Sequence, residues 1–189
     1  MRWVDVFGPP GVGKSTLCDA EWPPDAIKWD GQGLPTEWAG IMAIADGLLE
    51  KVSGHASYSA CASMTLRSFR KMATVSRMSD DRVYVQTGFA QRGLGFGWRL
   101  NKPDDVAAYF EAMPVSLGVV ALVADTETIQ RRNVARGKDR SFMVPMIQRP
   151  MEIGRRILKE RRPFLELDML QPIEVNRAKL AGFVKELAC

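Results

Sequence analysis

The chain is poor in the residues that several common chemistries require. Among 189 residues there are 3 cysteines and 1 histidine. Cys18, Cys61 and Cys189 cannot all pair and share no C-x-x-C spacing, so neither a disulfide framework nor a cysteine zinc site is indicated, and a reducing compartment is expected. With His55 as the lone histidine, reading as a loop residue between helices, His-rich metal centres are excluded. A serine-type triad would depend on that one residue. Long apolar runs are also missing, since no segment approaches the ~20 residues of a membrane-spanning helix. The opening Met1-Arg2-Trp3-Val4-Asp5 lacks a signal-type apolar region because Asp5 interrupts it. A cytoplasmic location and no membrane partner are therefore expected. No internal repeat, low-complexity tract or flexible linker is visible.

What is present is the composition of a folded chain. The sequence is 46% hydrophobic and 25% charged, with a mean hydropathy of −0.13, which excludes long disorder and fibrous classes. A length of 189 residues fits one domain, 1–189, with an inserted region. The net charge of +4 is unevenly spread. Arg131 to Arg162 holds eleven Lys/Arg against three Asp/Glu, a balance of +8 that leaves −4 for the rest. Such a segment is either a solvated helical face or a surface for several phosphates.

Hydrophobic periodicity places a strand at Trp3 to Phe7, a glycine loop, and a helix from Val12 to Ala20. A second strand is expected at Ala26 to Trp29, ending in Asp30 before the turn residues Gly31-Gln32-Gly33. Helices follow at about 36–52 and 58–78, forming an insertion of about 31–81. Strands are predicted at 82–86 and 117–123, with a short helix at 104–113 between them. Asp125 reads as the cap of a helix to about Arg136. A basic helix spans 151–161, a last strand 172–175 and a closing helix 178–187. Strands separated by helices require crossovers, so the fold class is α/β: a three-layer α/β/α arrangement on a parallel sheet of about five strands. Ligands in such sheets bind at the carboxyl ends of the strands, where the glycine loop and Asp30 both fall.

Gly8-Pro9-Pro10-Gly11-Val12-Gly13-Lys14-Ser15 satisfies G-x-x-x-x-G-K-[ST] at every fixed position, after a strand and before a helix. The glycines let backbone N–H groups turn inward on an anion, and the helix adds the positive end of its dipole. Such a loop takes a polyphosphate. Lys14 is placed to bridge the terminal phosphate, Ser15 offers a hydroxyl oxygen to Mg²⁺, and Thr16 assists at the α-phosphate.

With this loop, Asp30 at the second strand's end, Gln91-Arg92-Gly93 after the third strand, and the stretch Arg131 to Arg140, the chain resembles the P-loop kinases of the nucleoside and nucleotide kinase type. That resemblance implies ATP and Mg²⁺, an acceptor module in the helices from Thr36 to Met78, and an arginine-rich lid at about 131–145. Independently, Arg132, Arg136 and Arg140 are four apart and on a continuing helix would share one face able to converge on a transferring phosphoryl group, although Gly137-Lys138-Asp139 breaks the helix before Arg140 and leaves Arg132 and Arg136 as the leading pair. The alternative is a solvated surface face. Asp30 is a candidate general base for an acceptor hydroxyl, or else an Asx-turn residue before Gly31. Arg92 is placed to clamp a substrate phosphate, and Arg67 and Arg70 offer the same chemistry unless solvated. Trp29, Trp38, Tyr58 and Phe89 are candidates for base stacking, with core packing as the alternative. The third strand ends in Gln86-Thr87-Gly88 without an acid, which counts against a motor-type ATPase and leaves Gln86 or Asp30 to the metal's outer shell. Asp80-Asp81-Arg82 stands at the wrong end of that strand for such a role.

Three functions are compatible with these features. In size and arrangement the chain is similar to small phage-encoded kinases that phosphorylate 5-hydroxymethyluracil in DNA, which implies a nucleic-acid hydroxyl as acceptor. A nucleoside monophosphate kinase would use the same fold, with Arg92 and a helical arginine on the monophosphate. A nucleotide-dependent binding module or ATPase would have no small acceptor.

Overall fold

The computed structural model describes residues 3–18, 34–54, 58–77, 83–100, 102–137 and 143–188. The strand expected at Ala26 to Trp29, Asp30, His55, Asp80 to Arg82 and Arg140 lie outside the described residues.

Trp3–Phe7 forms strand β1, buried at every position. Strand alternation divides it between two cores: Trp3 and Phe7 enter one, Val4 and Val6 the other. Tyr84–Gln86 (β2), Gly118–Val123 (β3) and Phe164–Asp168 (β4) complete a four-stranded sheet among the described residues, in the order β2-β1-β3-β4. All pairings are parallel, with Val4 opposite Val85, Val6 opposite Val120 and Val120 opposite Leu165. Parallel neighbours need crossovers, and helices supply them on both faces.

On the Trp3/Phe7 face lie α2 (Ala39–Lys51), α3 (Tyr58–Arg77), α4 (Phe89–Gly97), α5 (Ala107–Glu111) and α7 (Met143–Arg161). Short 3₁₀ turns at Thr36–Trp38 and Pro103–Val106 lead into α2 and α5. On the Val4/Val6 face α1 (Lys14–Cys18) and α8 (Ile173–Ala188) cover Leu17, Leu122, Leu167 and Leu180. Helix α6 (Thr126–Ala135) begins as expected, with Asp125 Oδ1 accepting from Thr128 N at 2.7 Å.

The last strand differs from the sequence expectation. Residues 172–175 open α8, where Pro172 presets a helical start and its carbonyl accepts from Val175 N at 3.1 Å. The strand is Phe164–Asp168, whose polar Glu166 and Asp168 mask its alternation. Helix α7 likewise begins at Met143 rather than Met151, running through Pro150. The stretch after β2, for which periodicity specifies no element, is helix α4 despite glycines at 93, 95 and 97. Packing overrides propensity there: Gly93 faces the Phe110 ring and Gly97 the Pro150 ring so closely that a Cβ would lie 2.6 and 2.5 Å from them.

Helix α4 also runs in an informative direction. Gly93 and Gly154 share Phe110, and Gly97 meets Pro150, so α4 is antiparallel to α7. Because α7 delivers the chain to the start of β4, α4 must climb towards the carboxyl ends of the strands.

Candidate phosphate-transfer site

Gly8 to Ser15 curls between β1 and α1 at the carboxyl end of the sheet. Gly11 and Gly13 adopt φ of +84° and +107°, in the left-handed region that side chains disfavour. The loop is pinned from three directions. Asn133 Nδ2 of α6 donates to Pro10 O at 3.1 Å, Arg132 of the same helix donates to Val12 O at 3.4 Å and Met169 O at 2.9 Å, and Gly8 N donates to Gln91 Oε1 of α4 at 3.2 Å. Lys14 Nζ folds onto the loop, donating to Gly8 O at 2.7 Å and Pro9 O at 2.8 Å.

Beside the loop opens a cavity of about 460 Å³, walled by Gly13, Lys14, Ser15, Gln86, Thr87, Lys71 and Arg136. Three cations and no carboxylate of the described residues line it. A field of that sign suits a polyphosphate. A smaller cleft of about 250 Å³ lies between Gly11, Thr16, Arg132, Arg136, Gln171 and Ile173, and the two cavities share Arg136.

The expected residues divide accordingly. Lys14, Ser15 and Arg136 line the main cavity, and Thr16 and Arg136 the cleft. Arg132 also lines the cleft, but its guanidinium is tied to two carbonyls. Helix α6 stops at Ala135 with Arg136 as its cap, in keeping with the break expected at Gly137. Arg67 and Arg70 are exposed and do not line these cavities, whereas Lys71 of the same helix does. Trp38 and Phe89 pack edge to face in the core at 5.1 Å, and Tyr58 is 37% exposed.

Arg92 lies on the other side of the loop. Its Nε is buried with no partner, and burial pulls its basicity down, opposed by the nearby Tyr109, Cys61 and Asp5. The Tyr109 hydroxyl is fully buried and also without a partner, and burial holds its proton far more tightly than usual. Asp5, fully buried in mid-β1, accepts from Gly88 N at 2.9 Å and Ala90 N at 3.0 Å, capping α4 from another element. Burial raises its pKa to about 6, against those hydrogen bonds and the Arg162 charge.

Part of the basic segment is engaged within the molecule. Arg149 pairs with Asp104 at 2.9 Å and Glu152 at 3.7 Å, and Arg155 with Glu166 at 2.5 Å. Arg162 donates to the carbonyls of Met113 and Pro114. Sequence counting registered the charges but not the partners, which come from other elements.

The chain shares its fold with a deoxyadenosine kinase. It superposes on the deoxyadenosine kinase from M. mycoides, solved with dCTP bound, with a TM-score of 0.57 and 14% identity, over 97% of this chain and 99% of that one. No family model and no curated protein matches the chain in sequence. The likeness establishes the P-loop kinase fold and the expected α/β class, with four strands among the described residues against an expectation of about five. None of the described helices is long and apolar enough to cross a membrane.

Sequence reasoning passed over Asn133, Lys71 and Asp5. Asn133 is only 3% exposed near the end of a polar helix, and Asp5 interrupts a strand otherwise apolar on both faces. An acid in such a strand is the one sequence signal of a buried polar role.

Proposed function

We propose that the protein is an ATP- and Mg²⁺-dependent phosphotransferase acting on a nucleoside-like small molecule, either a nucleoside or its monophosphate. The observation that carries this reading is the complete phosphate loop opening into a cavity lined by Lys14, Lys71 and Arg136, on a kinase fold that aligns over 97% of the chain. Backbone N–H groups and Lys14 would hold the β- and γ-phosphates, and Arg136 and Lys71 would offset charge developing on the transferred group. Ser15 fits a hard cation through its hydroxyl, and Gln86 Oε1, buried without a partner at the cavity wall, fits a water on that cation. Among the described residues no cluster of three acids, histidines or cysteines could hold a metal alone, so Mg²⁺ would come with the nucleotide phosphates. When bound, it neutralises phosphate charge during in-line transfer.

Arg132 and Asn133 are assigned a positioning role, since they hold the loop's carbonyls in place. Asp30 keeps its proposed role as base for a hydroxyl acceptor, and Asp30→Asn then lowers kcat about 10²–10⁴-fold for nucleosides while ATP binding persists. For a monophosphate acceptor, already ionised, the same change leaves kcat within a few-fold.

A small acceptor is favoured over 5-hydroxymethyluracil in DNA because Arg149 and Arg155 are paired with acids of this chain and Arg162 with its carbonyls, which leaves fewer of these charges for a polyanion. The test is transfer from γ-labelled ATP with Mg²⁺ to nucleosides, nucleoside monophosphates and DNA with and without 5-hydroxymethyluracil. Label in the small molecules supports the reading, label confined to modified DNA replaces it with the polymer reading, and acceptor-independent ATP hydrolysis alone points to an ATPase.

A further inference from the structure

Strand β1 carries one charged side chain, and it meets the start of a helix from a distant part of the chain. Asp5 is fully buried and, by strand alternation, shares the face of Trp3 and Phe7. A carboxyl placed there is costly unless it is hydrogen-bonded. Its oxygens accept from Gly88 N at 2.9 Å and Ala90 N at 3.0 Å, and the Phe89 N–H adds to the stabilisation of its charge. Three successive N–H groups thus converge on one side chain, at the end of α4 where the helix dipole favours negative charge.

Helix α4 has little else to anchor its start. It holds glycines at 93, 95 and 97, and its N-cap residue, Gly88, supplies no side-chain cap. A capping residue does not fit at that position, because a Cβ there would lie 2.9 Å from Met72 Sδ and 3.1 Å from Asp5 Oδ2. The cap comes instead from another element, which changes what it does. A cap from residue 88 would order only the first turn of the helix, whereas the cap from Asp5 also sets how far α4 stands from β1.

The next residue makes that spacing consequential. Gln91 Oε1, one position beyond Ala90, accepts from Gly8 N at 3.2 Å. Gly8 opens the phosphate loop three residues after Asp5, directly beyond the end of β1. A closed circuit results: along the chain from Asp5 to Gly8, across to Gln91, and back through Ala90 to Asp5. Before the turn, Gln86 stands opposite Asp5 in the sheet register, and Gln86 and Thr87 line the main cavity. One buried carboxyl therefore ties together a wall of that cavity and the first N–H of the loop.

We propose that Asp5 is a positioning residue for the phosphate loop, acting on Gly8 through the turn from Gly88 to Ala90 and the Gln91 side chain. The consequence for nucleotide affinity rests on the phosphotransferase reading, whereas the linkage itself is a property of the ligand-free protein.

The test compares the wild type with Asp5→Asn, Gln91→Met and the double variant at pH 8, above the Asp5 pKa of about 6, where its carboxylate is ionised. Asp5→Asn keeps the side chain's shape and one acceptor oxygen, and Gln91→Met keeps a strong helix former of similar length. Gly88→Ala, which crowds the same carboxylate at 3.1 Å, replaces Asp5→Asn should that variant not fold. Amide exchange at Gly8, relative to Val120 in β3, is read by NMR without ligand, and affinity for a non-hydrolysable Mg-ATP analogue is read by calorimetry.

Both single variants should speed Gly8 exchange at least about 10-fold relative to Val120, as local opening of a lost hydrogen bond does. Each should weaken the analogue about 3–10-fold, the size of one hydrogen bond. The double variant should match the weaker single one within about 2-fold, because both break the same path. The direction is informative, since removing a negative charge beside the cavity would by itself tighten polyphosphate binding. A carboxyl that only stabilised the fold would lower the melting temperature and leave both readouts unchanged. Unchanged Gly8 exchange in the folded Asp5 variant overturns the proposal, and so do single effects that multiply in the double variant. A wild type that does not bind the Mg-ATP analogue, while Gly8 exchange responds as expected, would instead defeat the phosphotransferase reading and leave the linkage standing.

Discussion

The two flanks of the phosphate loop treat their polar groups in opposite ways. On the α6 flank, Arg132 and Asn133 donate to Val12, Met169 and Pro10 carbonyls. On the α4 flank, Arg92 Nε and the Tyr109 hydroxyl are buried without partners, and Asp5 is a buried carboxyl that accepts from the backbone N–H groups of Gly88 and Ala90. The first arrangement is stiff because each polar group already has its bond. The second leaves donors buried and unsatisfied, at a cost to the protein's stability. A residue type therefore says little about its surroundings: Arg132 and Arg92 both flank the loop, yet one donates to two carbonyls and the other keeps a buried Nε without a partner.

The largest effect that would sharpen this comparison is on Lys14, whose ammonium belongs to neither flank and lies on the loop itself. Lys14→Ala should lower phosphoryl transfer about 10²–10³-fold, as removal of a preorganised charge-stabilising donor does. Steady-state kinetics at saturating ATP decides it, and a rate within a few-fold of wild type would displace the loop from the chemistry.

The next concerns Asp5. Its folded pKa of about 6 lies above its ordinary 3.8, so between those values the native state holds a proton that the unfolded state has released. Stability should therefore decline as pH rises from about 4 to about 6, by about 3 kcal/mol from this group for a shift of about two units. Asp5→Asn should remove that component while losing one accepted N–H bond. Urea unfolding of both proteins across pH 4–7 tests the difference, and parallel pH profiles would assign the slope to other groups.

Arg132→Met should cost about 1–3 kcal/mol, because two carbonyls lose a charged donor. It should also weaken ATP binding through a looser loop. If it destabilises no more than a surface ion-pair deletion, roughly 0–1 kcal/mol, the stiff flank is not held by this residue. Tyr109→Phe is the smallest and has the opposite sign: removing an unpartnered buried hydroxyl should leave the ligand-free protein unchanged or about 1 kcal/mol more stable. A clear loss of stability on thermal unfolding would break the contrast between the flanks.

Several parts of this molecule were legible before folding because they are local. The phosphate loop needs glycines, Lys14 and Ser15 within eight consecutive residues, and the Asp125 cap needs only Thr128 three residues later. The helices of the insertion and strands β1 and β3 follow from hydrophobic periodicity, which is also short-range. Where two local signals compete, periodicity does not decide between them. Ile173 and Val175 are β-prone, but Pro172 and the pairing of Phe164–Asp168 with β3 made them helical.

The sequence by itself determined the α/β class and the glycine loop between β1 and α1, because backbone geometry and periodicity act between neighbours. Only the tertiary structure decided which charges are occupied. Arg149 finds Asp104 across 45 positions, Arg132 finds Val12 across 120, and Gly88 finds Asp5 across 83. Hydrogen bonding acts over about 3 Å whatever the chain separation, so which arginines are tied into the fold depends on how the helices pack.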